Sequence, residues 1–148
     1  MGKGLFIVVS APSGTGKSSI CRGLLKTHPE IKFSVSHTSR APRPGEIDGK
    51  DYFFISRKEF QQKIQRGEFI EWVKNYGHFY GSSRSAVEQV LKAGQDLLFD
   101  VEPRGAKKIK ESLRGGVYVF VLPPSGEELL KRLRKRGCES EAVIQKRF

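Results

Sequence analysis

The chain has 148 residues, 37% of them hydrophobic, which suits one compact domain with a proper core and at most a small attached lobe. Its formal net charge of +11 admits a nucleic-acid partner, but much of the excess sits in "SRAPRP" and "KRLRKR", and no RNP-like aromatic motif or KH loop accompanies it. Cys21 and Cys138 fit no metal spacing and read best as free thiols in a reducing cytosol, with one disulfide as the alternative; no apolar run spans a bilayer, so the expectation is a cytoplasmic protein.

The run from Leu5 to Val9 is too short for a secretory h-region and leads directly into a glycine-rich turn, so it reads as a buried strand over residues 5–10. The turn is Ala11-Pro12-Ser13-Gly14-Thr15-Gly16-Lys17-Ser18, followed by Ser19. It meets the phosphate-loop pattern G-x-x-x-x-G-K-[ST] except that alanine stands at the first glycine. Gly14 and Gly16 permit the backbone angles that turn successive N–H groups onto phosphate oxygens. The helix starting near Lys17 adds its positive dipole end. Lys17 can reach the β- and γ-phosphates of a nucleotide, and the Ser18 hydroxyl can ligate Mg²⁺. The plainer reading is an ordinary Gly/Ser turn, and the strand before and helix after weigh against it.

A helix over 18–27 carries Ile20, Leu24 and Leu25 at helical spacing and stops at His28-Pro29. "IKFSV" alternates as a half-exposed strand, a long polar loop runs through "SHTSRAPRPGEIDGK", and "DYFFI" reads as a further strand. Ser56 and Glu59 form a capping box for a short helix with Gly67 after its end. "EFIEWV" and "HFYGS", joined by Asn75-Tyr76-Gly77, look like a hairpin, which makes this region a small, mostly antiparallel lobe.

The βα rhythm then returns. Ser85 and Glu88 cap a helix closed by Gly94, "DLLFDV" is a buried strand, and Ala106, Ile109 and Leu113 mark a helix. "VYVFVL" reads as another buried strand, Ser125 and Glu128 cap a basic helix ending at Gly137, and a last helical stretch begins near Ser140. Strands alternating with helices predict a parallel sheet covered on both faces. The chain stops at Phe148 within a helical pattern and without a C-terminal cap, as expected of a truncated domain. That reading implies an exposed sheet edge.

The segments "SVSHTSRAPRPGEIDGKDYFF", "FIEW", "YGHFYGSS", "LLFDVE" and "LKRLRKRG" resemble guanylate kinase in order and spacing, and the resemblance covers essentially the whole chain. It implies an α/β fold: a P-loop NTPase core whose parallel sheet is flanked by helices, an inserted antiparallel GMP-binding lobe and a basic helical lid. The corresponding division is 1–32 core, 33–83 GMP-binding lobe, 84–125 core and 126–148 an incomplete lid. It also implies ATP-dependent phosphorylation of GMP and dGMP, with Mg²⁺ carried by the ATP.

Residue chemistry runs beside that resemblance. Arg40 and Arg43, three apart in an extended loop, can clamp a phosphate dianion, and Tyr52 and Tyr80 can donate hydroxyls to it. For Tyr52 the plainer reading, a half-buried strand tyrosine, is equally supported. Glu71 within "FIEWV" reads by pattern as an outward carboxylate. Yet guanine presents N1–H and N2–H₂ side by side, which one carboxylate can accept, and adenine does not. The resemblance assigns Ser36, Glu71 and Ser82 to guanine, and places Glu46, Gly81 and Asp100 with the GMP residues. Asp100 at a strand end beside the phosphate loop suits organising Mg²⁺ and its waters.

Arg132, Arg136 and Arg147 match lid arginines that contact ATP or the transferring phosphoryl group. Lys131, Arg134 and Lys135 read as a solvated face. Glu102 and Arg104 depart from the family, which commonly has Asp and a neutral residue there. Two alternatives stand beside the kinase reading: a ribose bisphosphate kinase on the same scaffold, and a non-catalytic guanylate-kinase-like binding module. The intact Gly16-Lys17-Ser18 weighs against the module, and Glu71 with Ser82 against the sugar kinase.

Overall fold

The apolar run folds as β1 (Phe6–Ser10), and the glycine turn releases the chain into α1 (Lys17–Thr27). Two short strands follow, β2 (Lys32–Phe33) and β3 (His37–Thr38), then β4 (Phe53–Phe54) after the polar loop. The helix α2 (Arg57–Gln65) leads to β5 (Phe69–Asn75) and β6 (His78–Ser83). The second half alternates α3 (Arg84–Lys92), β7 (Leu97–Asp100), α4 (Pro103–Ser112) and β8 (Val117–Phe120). Two helices close the series, α5 (Gly126–Arg136) and α6 (Glu141–Arg147). The computed structural model describes residues 3–137 and 140–147, Arg147 by its backbone alone, so the expected free thiol Cys138 lies outside the described residues.

The order β2-β7-β1-β8 makes an all-parallel sheet, with Val9 opposite Asp100 in the β1–β7 register. Helices carry the crossovers and bury the central strands: Val8, Leu98 and Phe99 are at most 1% exposed. On one face Phe6, Val8, Phe99, Val87, Leu91 and Ile109 pack together; on the other, Val9 and Leu98 pack against Cys21 of α1. This arrangement fixes the phosphate loop and the end of β7 side by side at the carboxyl edge of the sheet, where open α/β sheets bind ligands.

Three corrections to the sequence reading concern strands. The second sheet, in order β4-β3-β6-β5, holds one parallel pair, β3–β4, among two antiparallel ones. The 39–52 loop is long enough to return the chain in the same direction beside β3. The hairpin turn is Tyr76-Gly77 alone, since Asn75 still pairs with His78. Both turn residues have positive φ, 47° and 82°, the twist a two-residue type I′ connection requires. The third correction is β8, expected to be buried. Among the described residues it is the sheet's edge, paired with β1, and Val117, Val119 and Phe120 are 46%, 43% and 54% exposed.

Local signals place the helix starts. Ser56 and Glu59 complete their capping box, each side chain bonded to the other's backbone N–H. The start of α3 differs from expectation: Ser83 is the N-cap and accepts from Ala86 N, while Ser85 lies inside the helix. Ser83→Ala is therefore expected to cost about 1 kcal/mol of stability and Ser85→Ala much less. Urea melts of the two variants check this, and equal losses would refute the assignment.

The second sheet has its own aromatic core. Phe60 of α2 stacks on Phe69 and Phe79 with ring centroids 4.4 and 5.3 Å apart. Gly81 is pressed against it, because a Cβ there would lie 3.0 Å from both Phe60 and Phe69. Leu129 and Leu133 of α5 pack with Ile144 of α6 and close over the phosphate loop at Gly14. Among the described residues no helix is long and apolar enough to cross a membrane.

Candidate active site

One cleft of about 1170 Å³ runs from the phosphate loop to the second sheet. At one end Gly14 and Gly16 adopt φ of 86° and 95°, conformations glycine reaches without steric cost. The Thr15 hydroxyl donates to Pro12 O at 2.7 Å and braces the loop. Gly16 caps α1 without a side-chain bond, which leaves the first N–H groups of the helix directed at the cleft end. Ala11, at the first glycine of the pattern, is 2% exposed and continues the line of β1 with no positive φ. The expected loop residues from Ala11 to Ser19 all line the cleft.

Lys17 and Asp100 meet there. The Lys17 ammonium lies 2.5 Å from Asp100 Oδ1, with the two side chains 19% and 13% exposed. Beneath them burial pushes the Cys21 thiol up to about 11, with the Asp100 charge adding to the effect. Cys21 is accordingly an inert thiol, the behaviour expected of a small buried side chain.

Toward the other end the predicted phosphate clamp assembles. Arg40 makes a fork-to-fork pair with Glu46, Nη1 to Oε2 and Nη2 to Oε1, both 2.9 Å. Glu46 Oε2 also accepts from Arg43 N at 2.7 Å. Both Glu46 oxygens are thus committed to arginines, so the carboxylate aims Arg40 and shapes the loop. The Arg40 hydrogen bonds hold Glu46 below the usual carboxylate range, and the same bonds raise Arg40. The Arg40 guanidinium stands 5.4 Å from the centre of the Tyr52 ring, and Tyr52 meets Tyr80 edge-on at 6.1 Å. Burial raises the Tyr52 hydroxyl, which keeps it a donor at neutral pH. Arg40, Arg43, Tyr52 and Tyr80 all line the cleft.

Glu71 turns inward, against the alternation-based reading. A register shift between Phe69 and Glu71 inserts Ile70 as an extra residue in β5 and re-aims the side chains beyond it. Glu71 is 5% exposed, and Oε1 accepts the hydroxyl of fully buried Ser82 at 2.7 Å. Ser36 Oγ lies 3.5 Å from Ser82 Oγ, completing a polar chain. Burial is the largest influence on Glu71 and raises it, against the lowering hydrogen bonds from Ser82. Gly105 of α4 lies under the carboxylate: a Cβ there would stand 3.2 Å from Oε2.

Other sequence-assigned residues sit differently. Ser82 and Gly81 lie behind the cleft wall, Ser82 holding Glu71 and Gly81 making room for the aromatic core. Arg132 is not on the cleft wall; its Nε binds Glu128 at 2.7 Å and its Nη1 donates to Thr15 O at 3.2 Å, bracing the phosphate loop from behind. Arg136 lines the cleft, and the Arg147 side chain lies outside the described residues. Sequence reading missed Gly105, whose part comes from the packing of α4 on β5, a contact no sequence pattern states.

Fold and site together define a P-loop protein whose glycine loop opens into one cleft shared with the second sheet. The guanylate kinase family model matches residues 3–148. A guanylate kinase of Syntrophus aciditrophicus is 57% identical over 146 residues, covering 99% of this chain and 70% of that protein. One from Clostridioides difficile is 53% identical, covering 99% and 71%. The crystal structure of guanylate kinase from Anaplasma phagocytophilum superposes with a TM-score of 0.75 at 36% identity, covering 93% of this chain and 67% of that one. The chain belongs to the guanylate kinase family.

Proposed function

We propose that the chain transfers the γ-phosphoryl group of ATP to GMP or dGMP, giving ADP and the nucleoside diphosphate. The observation that carries this reading is one cleft with two anion-handling ends: Lys17 in the glycine loop at one, Arg40 with Tyr52 and Tyr80 at the other. Neither alternative from the sequence finds support, since an intact loop and a buried acceptor carboxylate occupy the same cleft.

In this reading the loop N–H groups and the first turn of α1 hold the β- and γ-phosphates. Lys17 exchanges its Asp100 partner for phosphate oxygens, which frees Asp100 toward the reacting centre. Arg40, held in aim by Glu46, and Arg43 take the GMP phosphate with the Tyr52 and Tyr80 hydroxyls. Glu71 accepts from guanine N1–H and N2–H, and Ser82 and Ser36 fix its orientation. The attacking phosphate oxygen has a second pKa of about 6, so it is mostly ionised at neutral pH and needs no general base. Rate comes from alignment and from charge neutralisation, with Arg136 lining the cleft and Arg147 assigned by family position.

Mg²⁺ in such sites is held largely by phosphate oxygens and water, so few protein ligands are required. Ser18 at the start of α1 and Asp100 across the loop fit that demand, both lining the cleft. When bound, the ion neutralises charge on the β- and γ-phosphates. We assign 33–83 to the acceptor lobe and 126–148 to the lid.

A kinase assay with Mg·ATP and a panel of GMP, dGMP, AMP, UMP and ribose bisphosphate tests the reading. ADP production is expected with GMP and dGMP and not with the others. Turnover with the sugar phosphate alone would overturn it.

A further inference from the structure

Three side chains of α4 donate to three backbone carbonyls of β5 in a matched series. Arg104 Nη2 reaches Lys74 O at 3.0 Å, Lys108 Nζ reaches Trp72 O at 2.5 Å, and Ser112 Oγ reaches Ile70 O at 2.9 Å. Donors step by four along the helix while acceptors step by two along the strand, in opposite directions. Four helical residues rise about 6 Å and two strand residues about 6.7 Å, so helix and strand stay in step over both intervals. Among the described residues β5 is the edge of its sheet, beside β6, and α4 covers the other side.

Glu71 lies between two rungs, immediately after the extra residue Ile70. Its Oε2 rests over Gly105, the residue next to the first donor, Arg104. A slip of β5 by one residue would turn Glu71 to the opposite face of the strand. The bulge makes such a slip a real alternative, because it already breaks the β5–β6 register at this point.

We propose that Lys108, flanked by Arg104 and Ser112, is a positioning residue that fixes the register of β5 and so holds Glu71 over Gly105, facing the acceptor base. The inference rests on the reading of Glu71 as the base-recognising group. Lys108 acts in a second way as well. The charged groups that act on Glu71 are Lys108 of α4, which favours its ionised form, and Glu102 just before α4, which opposes it. Lys108 is itself anchored, its ammonium 4.5 Å from the centre of the Trp72 ring. Arg104 draws Glu102 away by a 3.0 Å bond from its Nε, so the ladder also restrains the opposing charge.

The test is steady-state kinetics on the whole chain as Lys108→Met, Lys108→Arg, Ser112→Ala and Glu71→Gln, with GMP varied at saturating Mg·ATP across the acid range. Lys108→Met is expected to raise KM for GMP about tenfold, with kcat and KM for ATP changed by less than about twofold. Removing a cation beside a carboxylate raises its pKa, so the acid limb of kcat/KM for GMP should move up by about half a pH unit. Lys108→Arg should restore both. Ser112→Ala removes a rung without touching a charge: KM for GMP should rise about threefold and the acid limb stay in place. A merely structural role would lower thermal stability without moving the acid limb. If Glu71→Gln loses preference for GMP while Lys108→Met and Ser112→Ala leave KM for GMP and the acid limb unchanged, the ladder proposal is overturned and the base reading stands. If Glu71→Gln keeps that preference, both fall together.

Discussion

Lys17→Ala is expected to lower kcat for phosphoryl transfer by about 10²–10³-fold, the usual loss when one preorganised charge-stabilising group is removed. The affinity for GMP should change by less than about threefold, because Arg40, Tyr52 and Tyr80 belong to other elements of the cleft. The size of the loss follows from where Lys17 stands. Its ammonium is mostly buried and already aimed at the cleft by Asp100, so little is spent on organising it when the nucleotide arrives. Stability should not fall with it in proportion. The variant leaves Asp100 without its partner, but that carboxylate lines an open cleft and can hydrate. Single-turnover phosphoryl transfer and titration calorimetry with GMP separate the two effects. A variant that keeps its rate, or one that loses GMP binding in equal measure, would remove Lys17 from the donor end.

Parts of this fold are plain in the sequence because they are local. The glycine loop, the capping box at Ser56 and the buried runs of β1 and β7 are short-range patterns whose physics involves only neighbours. The strand β8 is the opposite case: "VYVFVL" has the composition of a central strand, and only the sheet order makes it an edge. Burial of that kind depends on what lies beside a strand, which hydrophobic pattern alone does not encode.

The site divides in the same way. Residues proposed to hold the phosphates are recognisable because their chemistry is: loop glycines, a lysine, arginines and tyrosines, all lining one cleft. Residues that aim those groups are not. Glu46 looks like one more cleft residue until its two oxygens are found on Arg40 and Arg43 N. Arg132 reads in the sequence as an ATP residue, and its bond to Thr15 O is a partner the sequence does not announce. In the sequence α4 reads only as a helix marked by Ala106, Ile109 and Leu113. Its donors at 104, 108 and 112 acquire meaning only once β5 is laid against them. Long-range pairing decides each of these roles, and a bulge of one residue decides the direction of Glu71.

On the proposed reading, that bulge makes Glu71 the residue on which acceptor choice turns. Glu71→Gln is expected to reduce kcat/KM for GMP by about 10²–10³-fold and to narrow the preference over AMP by a similar factor. The carboxylate offers two acceptors to two donors of guanine. Glutamine keeps one acceptor and presents an N–H₂ where the base also presents N–H, so one hydrogen bond is lost and a donor–donor clash replaces it. Burial works against charge on this group, and the bonds around it oppose that cost only in part. Ser82 donates to it, Ser36 stands behind Ser82, and Gly105 leaves it room. A charged side chain 5% exposed is costly unless a partner meets it, and adenine at that position brings no matching donor pair. On the proposed reading, discrimination comes as much from the penalty of an unmet carboxylate as from the bonds guanine makes. The neutral amide lowers that penalty, so AMP turnover should rise in absolute terms, by about tenfold, while GMP turnover falls. Competition assays with both monophosphates at equal concentration measure the ratio directly. A drop for both acceptors by the same factor would reassign Glu71 from reading the base to supporting the lobe.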